Sequence, residues 1–278
     1  MKTRITIKTI IALAITLLSI NAFAQSFYVK LNGGYNWGIA SNVIASNSNQ
    51  VGTVNSYEKV NLSFGKGINI GGAFGYMFNK NIGAELGINY LIGGTTETSS
   101  KSSSFNSSSN NTYNYSSTLL NFIPSIIITP GFEKINPYAK IGMSLGIATM
   151  SNKNENSSTS GSTTNTTNQT SIASGGLAIG LVSALGATYE INKNISVFGE
   201  LNISTLSYSP TKSEITEYKQ NGVDNLSTLK TRDKVTEYSD SYSTDSSSPT
   251  DVNNPRKSMS INIPFSSLGV NIGVKYSF

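Results

Sequence analysis

Strict two-residue alternation in the closing stretch, recurrence of that pattern along the chain, and short turns that take turns with long polar tracts predict an all-β fold. The architecture they predict is an eight-stranded antiparallel up-and-down transmembrane β-barrel with short periplasmic turns and long extracellular loops. In residues 268–278, Leu268, Val270, Ile272, Val274, Tyr276 and Phe278 interleave with Gly269, Asn271, Gly273, Lys275 and Ser277. Successive side chains of a strand point to opposite faces, so one face is wholly apolar and the other small or polar. A membrane-crossing strand needs about 9–11 residues, apolar toward lipid and polar toward the lumen, with aromatics at the interface. A soluble eight-stranded barrel of the lipocalin kind is the rival. It would turn its apolar residues inward, and its loops need not alternate in length.

Residues 1–24 read as a signal peptide, with Lys2, Arg4 and Lys8 before a mostly apolar run and Ala22-Phe23-Ala24 as a small-x-small cleavage site. The apolar run is too short for a membrane anchor, and no stop-transfer flank follows it. Residues 25–278 then form the barrel domain. Taking those three from the 20 basic residues leaves 17 against 15 acidic ones, so the basic balance belongs mainly to the leader. That removes support for a nucleic-acid partner. The lack of cysteine excludes a disulfide framework and a lipid-modified cysteine. No later run of about 18 apolar residues offers a helical span.

The predicted strands follow in order. The first, about residues 26–39, places Phe27, Val29, Leu31, Tyr35, Trp37 and Ile39 on one face and Tyr28, Lys30, Asn32, Gly34 and Asn36 on the other. A polar loop covers about residues 40–64. The second strand (66–78) and third strand (82–92) flank the tight turn Asn79-Lys80-Asn81. After a Ser/Asn/Thr tract at 95–118, the fourth strand (119–129) fits least well. Ile123 and Ile127 occupy its inner face and Pro124 removes a ladder donor, so a bulge or shifted register is expected there. The fifth strand (137–150) leads to a second low-complexity tract at 151–172. The sixth (175–191) and seventh (195–208) flank a second tight turn, Asn192-Lys193-Asn194. The longest loop, 209–257, contains Asn221-Gly222, a strong hairpin signal, and a β-extension above the membrane is expected from it. Before the last strand, Met259, Ile261, Ile263 and Phe265 alternate in the opposite phase. The flip near Ser266-Ser267 marks either a bulge or the outer limit of the membrane. The closing strand must pair with the first, because an open edge is not tolerated in a bilayer.

By this parity Lys30, Glu85, Lys140, Glu200 and Lys275 all point inward, each within a few residues of the short-turn end of its strand. An unpaired buried charge is expensive, so mixed signs at one depth predict a lumen charge network. The network reads as a plug that fixes the interior or, alternatively, as a narrow ion path. The inward glycines leave room for its long side chains.

The chain as a whole resembles the small eight-stranded outer-membrane barrels of the OmpX/OmpA-transmembrane-domain type. The residues that carry the resemblance are Tyr138-Ala139-Lys140-Ile141-Gly142, Val197-Phe198-Gly199-Glu200-Leu201 and the ending Val274-Lys275-Tyr276-Ser277-Phe278. The resemblance implies a Gram-negative outer membrane as location, with its lipid and lipopolysaccharide as surroundings. It also implies insertion by the barrel assembly machinery, with Tyr276 and Phe278 as the assembly signal. Enzymatic outer-membrane barrels resemble one another in using a catalytic histidine, and this chain has none. Metal sites built on nitrogen or sulfur are likewise excluded, and no cofactor is expected. The acids Glu85 and Glu200 are matched by inward lysines, which favours ion pairing over acid–base work. Gly65-Lys66-Gly67 has the wrong spacing for a phosphate loop, and no helix follows it. The expectation is a non-enzymatic surface protein with a structural, adhesion or shielding role carried by its loops. A porin-like narrow channel for ions or small solutes, or a subunit of a larger outer-membrane complex, stands as the alternative.

Overall fold

A computed structural model describes residues 26–39, 42–243 and 251–278. The expected signal peptide and parts of the first and last predicted loops lie outside the described residues. The elements are β1 (Ser26–Gly38), β2 (Asn42–Val51), β3 (Val54–Leu62), β4 (Gly67–Met77), β5 (Ile82–Gly93), β6 (Thr96–Ser104), β7 (Ser107–Ile128), β8 (Ile135–Ser160) and β9 (Thr163–Ser174). They continue with β10 (Leu177–Glu190), β11 (Ile195–Ser209), β12 (Lys212–Gln220), β13 (Val223–Asp224), β14 (Val235–Ser239), β15 (Arg256–Met259), β16 (Ile263–Pro264) and β17 (Ser267–Ser277). A short 3-10 turn and one helical turn lie between β13 and β14. The chain is therefore all-β, but the described residues hold 17 strand segments where the sequence pattern predicts eight.

Eight of those segments form a ladder that returns to its start. β1 pairs with β4, β4 with β5, β5 with β7, β7 with β8, β8 with β10, β10 with β11, β11 with β17, and β17 with β1, every pair antiparallel. The closing pair runs from Tyr28 opposite Ser277 to Gly38 opposite Ser267, joining the first and last strands as expected. Both predicted Asn-Lys-Asn turns close in one way. The Asn79 side-chain oxygen accepts from the backbone N–H groups of Asn81 and Ile82, each at 2.8 Å, and Asn192 does the same for Asn194 and Ile195 at 3.0 and 2.9 Å.

The pleat sorts the side chains. Along β8, Ala139, Ile141, Met143, Leu145 and Ile147 are exposed, while Tyr138, Ser144, Gly146 and Ala148 are buried. The same alternation gives every strand of the ladder an exposed apolar outer face, so a continuous apolar belt surrounds the molecule. Monomeric soluble proteins rarely expose an apolar patch above a few hundred Å², so this belt needs an apolar surrounding. Among the described residues no helix is long and apolar enough to cross a membrane.

Two irregularities expected from the sequence are absent. β5 faces β7 in unbroken register through Leu86 opposite Pro124. The β7–β8 pairing lapses only at Ile123 and Pro124 and resumes, in the same register, at Ser125 opposite Gly142. The bulge or shift predicted at Pro124 is thus corrected. The two inward isoleucines fit because Ile123 stands opposite Gly87 and Ile127 opposite Gly83. Near Ser266-Ser267 no residue is inserted either, since β11 keeps one register from Tyr208 opposite Ile263 to Ile195 opposite Tyr276. The ladder is only patched there, Leu206 N–H donating to Ser266 Oγ at 3.1 Å. Strand parity is constant, and what flips is the position of the apolar residues. Leu268 and its successors point outward, whereas Ile263 and Phe265 point inward. That leaves the outer limit of the apolar belt as the meaning of the flip.

The tracts predicted as long polar loops are largely strand. β8 has 26 residues, well over twice the roughly 9–11 that a membrane crossing needs. Beyond the belt the sheet continues in the order β3-β2-β6-β7-β8-β9-β12-β14-β15. These Ser/Thr/Asn-rich segments have too few apolar residues for a core of their own. They stay extended because each prolongs, or pairs beside, a strand that already has its ladder. The expected hairpin at Asn221-Gly222 is present, with φ of 48° and 80° and Gln220 opposite Val223, the backbone that a two-residue hairpin requires. At the other end of β12, the hydrogen bond from Lys212, 2.7 Å away, holds the Glu214 carboxyl below the usual carboxylate range.

Gly75 lies directly opposite Tyr28, whose ring occupies the space a side chain would need. Gly75→Val is expected to destabilise the fold by about 1–3 kcal/mol through overpacking, seen as a lower temperature for the loss of the fast-migrating folded species when samples are heated stepwise before the gel. An unchanged transition would contradict this packing.

Candidate functional site

The candidate site is the space inside the ring, built in layers. Nearest the short turns, Tyr28, Met77, Ile127 and Tyr138 form a small apolar cluster. Three rings lie against glycines directly opposite them on the neighbouring strand: Tyr28 on Gly75, Tyr138 on Gly186 and Phe198 on Gly273. A ring can lie flat only where the facing residue lacks a Cβ, and flat rings leave the centre open for charged side chains.

The charges occupy that centre. Lys30 Nζ lies 2.7 Å from Glu85 Oε2. Lys140 Nζ bridges the two acids, 3.0 Å from Glu85 Oε1 and 3.3 Å from Glu200 Oε2. The carboxylates' remaining lone pairs are also used. Tyr28 OH donates to Glu85 Oε2 at 3.1 Å, Tyr138 OH to Glu200 Oε2 at 2.9 Å, and Asn271 Nδ2 to Glu200 Oε1 at 3.2 Å. Asn69 in turn holds Asn271, Nδ2 to Oδ1 at 3.3 Å. Lys30 meets Glu85 as an ion pair, without good hydrogen-bond alignment. Its ammonium is surrounded by rings, with centroids of Tyr138 at 4.7 Å, Phe198 at 5.0 Å and Tyr28 at 5.5 Å. Lys30 and Glu85 are each only 4% exposed.

Four of the five residues predicted for the lumen network, Lys30, Glu85, Lys140 and Glu200, are therefore brought together. The fifth, Lys275, points inward but does not join them. Its ammonium lies over the Tyr28 ring, 4.3 Å from the centroid, facing the short-turn mouth. Cross-strand pairing explains the difference. Lys275 stands directly opposite Lys30, and like charges in that position repel, so only one of them turns to Glu85. Tyr276 and Phe278 both face outward, with their rings 5.1 Å apart, in the aromatic rim at the same end.

Above the charges is a cavity of about 60 Å³ bordered by asparagines, among them Asn36, Asn89, Asn121 and Asn202. Each of these four presents a buried amide atom without a protein partner. Groups like these are ordinarily satisfied by enclosed water, and the space suffices for a few molecules. Over this chamber lies an apolar lid: Leu62, Phe64, Leu91, Leu119, Leu206, Tyr208, Ile263 and Phe265, with small residues between them. Sequence reasoning missed the lid and the tyrosine and asparagine partners of the acids. The lid's signal was there in Leu91, Leu119, Leu206 and Tyr208, which share the inward parity of the lumen residues.

Chemically the layer is committed. Both carboxylates are held by ammonium groups and neutral donors, which leaves neither oriented as a free base. Among the described residues no cluster of acids, histidines or cysteines is placed to hold a metal ion.

A ladder closed on itself, with an apolar outside and a polar, charged inside, is the architecture of a membrane β-barrel. The profile of the outer membrane protein beta-barrel domain family matches residues 10–231, and the chain belongs to that family. Its place is accordingly the bacterial outer membrane. No curated protein sequence matches the chain. Among solved structures it is similar to Ail, the attachment invasion locus protein of Yersinia pestis, at 10% identity and a TM-score of 0.33 over 91% of this chain and 97% of that one. It is also similar to CarO of Acinetobacter baumannii, at 14% identity and a TM-score of 0.31 over 89% of this chain and 97% of that one.

Removing one member of a buried ion pair leaves the other charge uncompensated, which costs about 3–5 kcal/mol. Glu85→Gln should lower stability by that order in urea unfolding of the micelle-refolded protein, and adding Lys30→Met should recover part of the loss. Equal unfolding midpoints for wild type and Glu85→Gln would show that the pair does not hold the interior.

Proposed function

We propose that the protein is a non-enzymatic surface protein of a Gram-negative bacterium, an eight-stranded up-and-down transmembrane barrel with its short turns in the periplasm. Its long polar hairpins, projecting outside the cell, carry a structural, adhesion or surface-shielding role. The observation behind this reading is the contrast between a lumen closed by a charge layer below and an apolar lid above, with only a small polar chamber between them, and a sheet that runs on far past the apolar belt. A conduit needs a continuous wet path, and the lid opposes one. A projecting polar sheet instead offers contact area. Lipid and lipopolysaccharide surround the belt in this reading, the leader is cleaved after Ala24, and the assembly machinery reads Tyr276 and Phe278 at the end of β17.

The rival reading is a narrow path for ions, which draws on the polar chamber beside the charge layer. Membership of a larger outer-membrane complex is a third, and co-purification from mild detergent would favour it.

In planar bilayers the purified protein is expected to give no stable open-state current, and a steady unitary conductance would overturn the surface-protein reading in favour of the channel. Deletion of Phe278 should reduce the amount of folded protein in the outer membrane. An undiminished level would reduce the terminal ring to a rim residue.

A further inference from the structure

The short-turn mouth contains a cavity of about 390 Å³, lined by Lys30, Lys80, Lys275, Thr129, Asn136 and Thr188 together with apolar and turn residues, and by no acid. Charge is unbalanced around it. The inward strand residues Lys30, Lys140 and Lys275 face Glu85 and Glu200, both already taken by Lys30 and Lys140, and Glu190, which shares the inward parity of β10 but stays beyond ion-pair distance of Lys275. Among the described residues no carboxylate lies within ion-pair distance of Lys275 or Lys80. Lys275 is half-buried with the π face of Tyr28 as its neighbour, while Lys80 stands at the rim on its turn. The threonine hydroxyls of the wall are spent on Asn136, Thr129 donating to its Oδ1 at 2.5 Å and Thr188 to its backbone oxygen at 3.2 Å. What remains is a concave, low-dielectric vestibule with surplus positive charge, a geometry that concentrates anions.

We propose that this vestibule binds one oxyanion group, a phosphate or carboxylate, held between the ammonium groups of Lys275 and Lys80. The anion relieves the repulsion between the cross-strand neighbours Lys30 and Lys275, which Glu85 relieves on one side only. The cavity is larger than a single such group, so the group can be free or carried by a bigger molecule such as an anionic lipid. The proposal does not depend on what the external hairpins do.

The test is a titration of isotope-labelled, refolded protein in zwitterionic nanodiscs with inorganic phosphate, followed by NMR. Saturable shifts are expected at Lys275, Tyr28 and Thr188, with affinity falling about tenfold in Lys275→Met, the effect of losing one charge-assisted hydrogen bond. Lys275→Met removes a cation that has no carboxylate within ion-pair distance, so it should fold as the wild type does, checked by gel migration. Absence of saturable shifts, or equal affinity in the folded variant, would overturn the site. A second arm repeats the titration in nanodiscs containing phosphatidylglycerol. Loss of the phosphate response there identifies a lipid headgroup as the occupant, and an unchanged response identifies the free anion.

Discussion

Closure of the ladder is the constraint on which everything else rests. An unpaired backbone group in hydrocarbon costs several kcal/mol, so the strand that ends the chain has to find the strand that begins it. Once β17 lies beside β1, the pleat divides every strand of the ring into an outward and an inward set. The outward set is free to be uniformly apolar. The inward set shares a bore only wide enough for side chains to fill, so each long residue needs a small one facing it. The rings of Tyr28, Tyr138 and Phe198 over Gly75, Gly186 and Gly273 are that requirement met residue by residue.

Within the bore, polarity changes with depth. Two acids and two lysines hold the middle, joined by tyrosine hydroxyls and an asparagine pair, so the carboxylates exchange water for fixed donors. An ion cluster of this kind is weak evidence for net stability, because desolvation offsets most of the attraction. It does distinguish one strand register from another, since a shift by one residue would turn these charges into the apolar belt. The apolar lid above has the complementary logic. Past the belt the outside is wet, and the apolar residues of β5, β7, β11 and β16 move to the only dry place left, the bore.

The outward faces and the strand-closing pair were legible in the sequence because a period of two survives without any knowledge of neighbours. The four-membered charge network was legible too, parity turning Lys30, Glu85, Lys140 and Glu200 inward and their distance from the short turns placing them at one depth. Lys275 was misassigned because parity says which face a side chain takes but not which of two opposed lysines wins the shared acid. The bulge expected at Pro124 did not occur, since its cause was judged within one strand. The glycines that admit Ile123 and Ile127 lie on β5. The Ser/Asn/Thr tracts were read as loops on composition, yet their extended state comes from ladders begun lower down, which composition does not record.

That last feature has a bearing on how such a surface changes over time. In the projecting sheet the backbone supplies the cohesion, and the side chains are mostly small, polar and partly exposed. Substitutions at such positions ordinarily alter stability by no more than about 0.5 kcal/mol. That face can thus be rewritten one residue at a time, while the part in the membrane stays under the strict pairing rules of its own interior.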